Sequence, residues 1–264
     1  MKIGFIGCGN MATAMLQGIL KSGEVKNTDM IASAKSDKTR EKIEKELGIQ
    51  KADTNAQVVD FADVVFLAVK PQFLEEVLDE IKDNVKEGQI FISIAPGKTL
   101  QWLGEHLGEG TKIIRTMPNT PAMVGEGMTA LCVNEQVTEQ ETLLAVTLCN
   151  TFGKTEVIPE CLMDVVVGVS GSSPAYVFMF IEAMADAAVA DGMPRAQAYK
   201  FAAQAVLGSA KLMLETGKHP GELKDMVCSP AGTTIQAVRV LEEKGLRSAV
   251  IEAQMECVKK AKGM

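Results

Sequence analysis

The amino-terminal segment joins an apolar strand to a helix through a Gly-x-Gly-x-x-Ala turn. Residues 3–6 are mostly apolar, Gly7, Gly9 and Ala12 form the pattern, and a helical pattern follows as far as Gly23. Gly7 allows a tight turn, Gly9 lets the backbone approach a pyrophosphate, and Ala12 lets the helix pack closely on the strand. The N–H groups and the dipole at the helix start favour phosphate. The pattern alone also fits an ordinary strand-to-helix turn, but in this context it predicts dinucleotide binding.

The second predicted strand, residues 30–34, indicates which dinucleotide is bound. NAD enzymes usually place Asp or Glu near this point to bind the ribose hydroxyls. Here the chain continues from Ser33 through Lys35 to Arg40 with hydroxyl and cationic side chains, which suit a ribose 2′-phosphate better. We therefore expect NADP(H) to be preferred, with NAD(H) possible. A solvated helix start capped by Ser36 or Asp37 would produce the same pattern.

Composition restricts the class of protein. The 264 residues are 47% hydrophobic and carry a formal net charge of −7, which is typical of a soluble globular protein and argues against a nucleic-acid partner. The six cysteines form no Cys-x-x-Cys pair, so we expect free thiols in a reducing compartment and a cytoplasmic location. With only two histidines, we expect no metal site. The most apolar helical stretch, residues 175–190, contains Glu182 and Asp186, so we expect no membrane span.

Alternation of strand and helix patterns predicts an α/β fold. Residues 1–160 are predicted to form a Rossmann-type, doubly wound, mostly parallel sheet, and residues 161–264 an all-helical domain that forms a homodimer. Strands are predicted at residues 2–6, 30–34, 64–68, 89–93, 112–115, 128–133 and 155–157. In the second domain, helices are predicted at residues 161–168, 173–191, 195–216, 220–227, 231–244 and 247–262.

Several strands end in residues that could reach a ligand, because open α/β sheets bind ligands at the carboxyl ends of their strands. Lys70 precedes Pro71 at the end of a buried strand, and Pro96-Gly97 follows the next strand. The Lys70 side chain could equally be a solvated lysine. The segment Met117-Pro118-Asn119-Thr120-Pro121 predicts either a structural corner or a cofactor-facing loop.

Two breaks in the helical domain suggest ligand chemistry. Ser229 is a candidate N-cap with Pro230 at the first helical position, so the N–H groups of residues 231–234 could bind a small carboxylate. A well-capped helix without a ligand explains the same residues. The second break, Gly168 to Tyr176, interrupts a helical pattern with Gly and Ser and predicts a bend.

The chain resembles the pyrroline-5-carboxylate reductases over its whole length. The resemblance rests on motifs that occur in the family's order: Phe5-Ile6-Gly7-Cys8-Gly9-Asn10-Met11, Ala68-Val69-Lys70-Pro71, Met117-Pro118-Asn119-Thr120-Pro121, Gly171-Ser172-Ser173-Pro174-Ala175-Tyr176 and Ser229-Pro230-Ala231-Gly232-Thr233-Thr234. It implies NAD(P)H-dependent reduction of 1-pyrroline-5-carboxylate to proline by a homodimer, sometimes assembled further. Many members have Gly at positions 173 and 231, and Ala at positions 96 and 233.

The resemblance also implies roles for individual residues. Substrate binding falls on Gly232, Thr233 and Thr234, and we expect the Thr234 hydroxyl to take the catalytic role of holding the ring nitrogen. Cofactor binding falls on Ile6, Gly7, Cys8, Gly9, Asn10, Met11, Ser33, Lys35, Asn55, Ala68, Val69, Lys70, Pro71, Ala95, Pro96 and Gly97.

Two other functions fit a Rossmann domain followed by helices. A β-hydroxyacid dehydrogenase has the same organisation but needs a base, typically Lys, and the Gly168–Tyr176 region has none. A noncatalytic nucleotide-sensing module could use the same turns without turnover. Activity with NADPH and pyrroline-5-carboxylate distinguishes the reductase from both.

Overall fold

A computed structural model describes residues 1–263. The chain forms two compact units: one comprises residues 1–171 with the described residues from 258 onward, and the other Ser172–Cys257. The strands are β1 Ile3–Ile6, β2 Met30–Ser33, β3 Gln50–Ala52, β4 Val64–Leu67, β5 Ile90–Ser93, β6 Lys112–Met117, β7 Gly127–Val133 and β8 Gly153–Val157.

Six helices of the first unit lie between these strands in the sequence, and the seventh follows β8. They are α1 Asn10–Ser22, α2 Asp37–Lys45, α3 Asn55–Phe61, α4 Pro71–Ile81, α5 Leu100–Leu107, α6 Glu139–Asn150 and α7 Met163–Val166. The second unit contains α8 Ser173–Ala190, α9 Arg195–Thr216, α10 Pro220–Val227, α11 Thr233–Glu243 and α12 Leu246–Ala261, the last of which extends beyond it.

The eight strands form one sheet in the order β3-β2-β1-β4-β5-β6-β7-β8. Every neighbouring pair is parallel except β6 and β7. The chain therefore leaves β1 in opposite directions across the sheet, first to β2 and later to β4, which creates the switch point where such sheets bind ligands. This architecture confirms the predicted doubly wound, mostly parallel fold.

Apolar side chains cover both faces of the sheet. Phe5 of β1 stacks on Phe66 of β4 with ring centroids 4.4 Å apart and belongs to one buried cluster, whereas Ile6 and Leu67 belong to another. Because successive side chains of a strand point to opposite faces, a central strand buried on both must be apolar throughout. This explains the nearly continuous apolar run at residues 64–69.

Three sequence predictions of local structure were wrong. Strand β3 was not predicted, because Gln50-Lys51-Ala52 has no apolar pattern and is a strand only through its pairing with β2. The helix predicted at 161–168 is instead a 3₁₀ turn, the short α7 and a π-helical segment, Val167–Gly171. The predicted start of α11 at residue 231 was also wrong, because the helix begins at Thr233.

The second unit buries few side chains. Ala185, Ala198 and Ala202 are buried, so small residues let α8 and α9 pack closely, as the sequence predicts. By contrast, Phe178, Met179 and Leu214 are 64%, 69% and 84% exposed. Glu160–Ala190 is also long and apolar enough to cross a membrane by length and composition, which the sequence analysis did not anticipate. The π-helical segment interrupts this run, and Glu182 and Asp186 lie on its last helix.

Candidate active site

The turn after β1 has the geometry that its glycines predict. Gly7 has a φ of +92°, and a Cβ there would lie 2.7 Å from the Ala68 carbonyl oxygen. The Gly7 N–H donates to the Ser33 carbonyl at 3.2 Å, and the Ala68 N–H donates to the Ile6 carbonyl at 2.8 Å. The fold therefore requires a glycine at position 7 even without a ligand, because a side chain would be strained at this φ and would clash with Ala68. The residue lies where β1, β2 and β4 end side by side.

Gly9 differs, because the described residues give no reason for a glycine there. It is the N-cap of α1 with φ −75° and ψ −172°, a conformation that alanine adopts readily, and a Cβ would meet no atom within 4 Å. The helical hydrogen bonds begin with the Thr13 N–H donating to the Gly9 carbonyl at 2.9 Å. The N–H groups of residues 10–12 thus have no helical acceptor. An open helix start, with unpaired N–H groups and the positive end of the helix dipole beside an unhindered glycine, fits a diphosphate.

Two residues of this turn offer only their backbone. Ile6 is fully buried and Cys8 is 5% exposed. Burial raises the pKa of the Cys8 thiol, and the contact with Thr13 offsets that rise only in part. The Cys8 side chain is thus a neutral core group.

The end of β2 carries a hydrogen-bonded chain of polar side chains. The Ser33 hydroxyl donates to Asn55 Oδ1 at 2.6 Å, and Asn55 Nδ2 donates to Glu80 Oε2 at 2.7 Å. Glu80 Oε1 also accepts from the Asn55 backbone N–H at 3.3 Å. Ser33 and Asn55 were predicted, whereas Glu80, an exposed residue of α4, carried no sequence signal.

The loop after Ser33 combines a helix cap with an exposed cation. Ser36 is the N-cap of α2, accepting from the Thr39 N–H, as one of the two interpretations predicted. The Lys35 ammonium lies 5.2 Å from the centroid of the Phe73 ring, and this ring is 42% exposed. A cationic group and an accessible aromatic face therefore lie together near the end of β2.

The ends of β4 and β5 complete this edge of the sheet. Lys70 is exposed at the N-cap of α4 with Pro71 at the first helical position, and the loop after β5 exposes Pro96 and Gly97 while burying Ala95. All the predicted cofactor residues thus lie at the carboxyl ends of β1 to β5. Ile6 and Ser33 are the last residues of β1 and β2, and the others lie on the loops or helix starts that follow the strands.

Asn119 has structural partners. Its Nδ2 donates to the Ser170 carbonyl at 3.0 Å, and its Oδ1 accepts from the Met128 N–H at 2.8 Å. Asn119 is also nearly buried, at 8% exposure. The segment from Met117 to Pro121 is therefore a corner that holds β7 and the π-helical segment.

The predicted start of α11 was wrong. Ser229 is not its N-cap, and Pro230 is not its first residue, because Ala231 has a φ of +58° and cannot belong to a right-handed helix. The Gly232 N–H donates to the Ser229 carbonyl at 3.0 Å, closing a turn with Pro230 and Ala231 at its centre. Gly232 is the N-cap, and the helix begins at Thr233.

This correction moves the predicted anion-binding groups. The N–H groups without a helical acceptor are those of residues 233–235, not 231–234. Thr233 and Thr234 place both a backbone N–H and a hydroxyl in this first turn. The strained φ of Ala231 also explains why Gly is common there in the family that the sequence resembles.

A further cluster, which the sequence did not predict, surrounds Arg115 of β6, the residue paired with Ser93 at the carboxyl end of β5. Arg115 is buried, with its side chain only 4% exposed, and its NH1 lies 3.0 Å from Glu160 Oε1 and its NH2 3.6 Å from Asp164. Glu160 Oε1 also accepts from the Leu100 N–H at 2.7 Å. In the part of the chain that the structure describes, no group of His, Cys, Asp and Glu is arranged to hold a metal ion.

Comparison with known proteins agrees with this geometry. Residues 160–264 match the family model described as pyrroline-5-carboxylate reductase dimerisation, and residues 2–97 match the model described as NADP oxidoreductase coenzyme F420-dependent. A pyrroline-5-carboxylate reductase of Escherichia coli (strain K12) is 55% identical over 260 residues, covering 98% of this chain and 97% of the relative. One from Methanosarcina acetivorans is 44% identical over 261 residues, covering 99% of this chain and 97% of the relative.

Solved structures give the same result. A pyrroline-5-carboxylate reductase from Coxiella burnetii superposes with a TM-score of 0.93 at 35% identity, covering 99% of this chain and 97% of that one. The Plasmodium falciparum enzyme with NADP bound superposes at 0.89 with 30% identity, covering 100% and 97%. A Mycobacterium tuberculosis 3-hydroxyisobutyrate dehydrogenase shares the fold alone, with a TM-score of 0.53 at 14% identity. The chain belongs to the pyrroline-5-carboxylate reductase family.

Proposed function

We propose that this protein reduces 1-pyrroline-5-carboxylate to L-proline with NAD(P)H, the last step of proline biosynthesis, and that the residues described above perform it. The observation that carries the proposal is the 55% identity with the Escherichia coli reductase over nearly the whole of both chains. The open Gly9 turn supports it independently, because its glycine is unexplained until a ligand approaches the backbone. The alternative function, that of a β-hydroxyacid dehydrogenase, is supported by likeness of fold alone.

The first unit would hold the cofactor through backbone groups. The N–H groups of Asn10, Met11 and Ala12 would bind the pyrophosphate, and Ser33, Lys35 and Asn55 would meet the adenosine ribose. The loops Ala68–Val69 and Ala95–Gly97 would border the nicotinamide half. A bound nicotinamide supplies the hydride.

The second unit would orient the substrate. The N–H groups that open α11 would bind the substrate carboxylate, and the Thr234 hydroxyl would hydrogen-bond the ring nitrogen. A cyclic imine already protonated in solution carries the proton that the product needs, so no dedicated His or Lys is required. The contribution of these residues is therefore orientation.

The direct test replaces Thr234 by Ala. Losing one oriented hydrogen bond should lower kcat/KM for pyrroline-5-carboxylate by on the order of ten- to a hundredfold, and leave the KM for NADPH unchanged. Thr233→Ala is the matched control, because it removes the neighbouring hydroxyl from the same helical turn, at a position where many family members have Ala. Unchanged kinetics in Thr234→Ala would remove this hydroxyl from the mechanism.

We further propose that NADP(H) is preferred and NAD(H) also accepted. Lys35 and Ser36 give the loop after β2 a cation and a hydroxyl that suit a 2′-phosphate, and the exposed Lys35 ammonium supports this. Comparison of kcat/KM for NADPH and NADH measures the preference directly. A ratio below one would contradict it.

The assembly is a homodimer formed through the helical region. Residues 160–264 match a dimerisation model, and large apolar side chains such as Phe178 and Leu214 are exposed in the single chain. A second copy would cover them, which also accounts for the apolar composition of Glu160–Ala190. Mass photometry that finds only the 28.3 kDa chain at micromolar concentration would contradict this assembly.

We also propose a cytoplasmic location. All six cysteines are free, as expected in a reducing compartment. The matching relatives include bacterial and archaeal proteins. Fractionation of cells that express the tagged chain tests this location.

A further inference from the structure

The chain of hydrogen bonds at the end of β2 has a direction. A carboxylate only accepts hydrogen bonds, so Glu80 must face the Asn55 Nδ2, which lies 2.7 Å away, and not its Oδ1. The Oδ1 therefore points to Ser33. An amide oxygen also only accepts, so the Ser33 hydroxyl must donate to it, at 2.6 Å.

This direction leaves Ser33 without a donor for a ligand. A hydroxyl has one hydrogen, and in this arrangement Asn55 takes it, so the Ser33 oxygen offers only lone pairs to whatever binds beside it. Without Glu80, the Asn55 amide could rotate by half a turn and present Nδ2 to Ser33. The Ser33 hydroxyl would then be free to donate elsewhere.

We propose that Glu80 is a positioning residue that sets the selectivity between the two nicotinamide dinucleotides, by fixing the Asn55 amide and, through it, the polarity of the Ser33 hydroxyl. The inference rests on the proposed placement of the adenosine ribose beside Ser33 and Asn55. A ribose 2′-hydroxyl can donate to the Ser33 oxygen, whereas a 2′-phosphate dianion has only acceptors. Glu80 thus favours NAD(H) binding, whereas the Lys35 ammonium favours the 2′-phosphate of NADP(H). Because the two effects act in opposite directions, both cofactors are used.

Glu80 suits a clean substitution experiment. Its side chain is exposed, so its replacement removes no core packing. Glu80→Ala removes the group that orients Asn55. Glu76→Gln removes a charge one turn earlier on α4, where the side chain is exposed, and leaves the bonds between Glu80 and Asn55 in place. Thr54→Ala is a matched control at the start of α3, the helix that begins with Asn55. It removes the N-cap bond that Thr54 accepts from the Gln57 N–H at 3.2 Å, and it leaves the Asn55 amide unchanged.

The experiment measures kcat/KM for NADPH and for NADH in each purified variant, together with its thermal stability. Glu80→Ala should raise the NADPH-to-NADH ratio by on the order of three- to tenfold, as expected for one redirected hydrogen bond, with the KM for pyrroline-5-carboxylate unchanged. Glu76→Gln should keep the parental ratio. Thr54→Ala should lower the melting temperature while keeping the ratio.

Each contrary result overturns a defined part of the reasoning. An unchanged ratio in Glu80→Ala overturns the inference, and so does an equal shift in Glu76→Gln, because charge alone would then be responsible. A shifted ratio in Thr54→Ala overturns it in favour of a general effect of the helix start. Asn55→Ala tests the placement itself: an unaltered KM for both cofactors would refute the proposed ribose site, separately from the role of Glu80.

Discussion

Adding one methyl group at Gly7 or at Gly9 should have opposite consequences, although the two glycines belong to one motif. At Gly7 the φ of +92° is unfavourable for alanine by about 1–2 kcal/mol. The new Cβ would also lie 2.7 Å from the backbone oxygen of Ala68 and 2.9 Å from Val69 Cγ1. Ala68 is held by its hydrogen bond to Ile6, so relief requires backbone movement that costs roughly 1–3 kcal/mol.

These terms add to a loss of folding stability for Gly7→Ala. The reduced entropy of the unfolded chain returns about 0.4–1 kcal/mol, which leaves a net loss of roughly 1–4.6 kcal/mol. For a chain of this size, that lowers the melting temperature by roughly 2–18 °C. It is a large fraction of a typical stability of about 5–15 kcal/mol.

Gly9→Ala should instead be nearly neutral for folding. The backbone conformation suits alanine and the Cβ meets no protein atom, so the weaker N-cap and the gain in unfolded-state entropy cancel to within about 1 kcal/mol. The methyl group would stand where the diphosphate approaches. Losing one charge-assisted hydrogen bond of about 1.5–3 kcal/mol weakens NADPH binding by roughly ten- to a hundredfold.

The assay combines thermal unfolding without cofactor, at one fixed protein concentration, with titration of NADPH followed by nicotinamide fluorescence. Fixed concentration matters because association shifts the apparent stability of an oligomer. The reasoning is refuted if Gly9→Ala binds NADPH like the parent, or if it unfolds at as low a temperature as Gly7→Ala.

Two further predictions concern stability. Glu160→Ala should lower the free energy of unfolding, measured in urea, by about 2–4 kcal/mol. The substitution removes the carboxylate that lies 3.0 Å from the buried Arg115 and leaves only the more distant Asp164. A loss below about 0.5 kcal/mol would show that the ion pair adds nothing to stability. Burial raises the pKa of Glu141, but hydrogen bonds from Lys112 and from its capping box outweigh this effect and hold the pKa below 4.5. Because the folded pKa is the lower one, its contribution is complete above the unfolded pKa and disappears as pH falls through the folded pKa. The difference in unfolding free energy between the parent and Glu141→Gln should therefore shrink as pH falls through the unfolded pKa and then through the lower folded pKa. A difference that stays constant with pH would contradict this assignment.

The structure also limits one substitution that the sequence suggests. A bulky residue at Gly232 is the obvious test of whether a substrate approaches the backbone there, because its side chain would occupy that space. However, a Cβ there would contact the Ser229 hydroxyl and lie 3.1 Å from the Ser229 carbonyl oxygen. Gly232→Val would disturb the turn itself, so lost activity would not identify a substrate contact.

Much of the fold was predictable because its causes are local. The strand, the Gly-x-Gly-x-x-Ala turn and the first helix are specified by residues adjacent in the chain. The run at residues 64–69 is apolar because both faces of a central strand are covered. The break at 168–176 was likewise predictable from Gly and Ser. Local residue preferences do not predict, however, that part of this break forms a π-helical segment. They also do not predict that the Ser170 carbonyl in this segment accepts a hydrogen bond from Asn119.

What the sequence by itself determined is therefore the order of the elements and the turns that carry chemistry, since backbone preferences and periodicity act over a few residues. The tertiary structure alone decided which distant groups meet. Gln50–Ala52 is a strand only because β2 pairs with it, and Glu80 reaches Asn55 only because α3 and α4 pack together. The start of α11 also escaped prediction, because Ser229-Pro230 suits a turn as well as a helix start, and only the positive φ of Ala231 distinguishes the two.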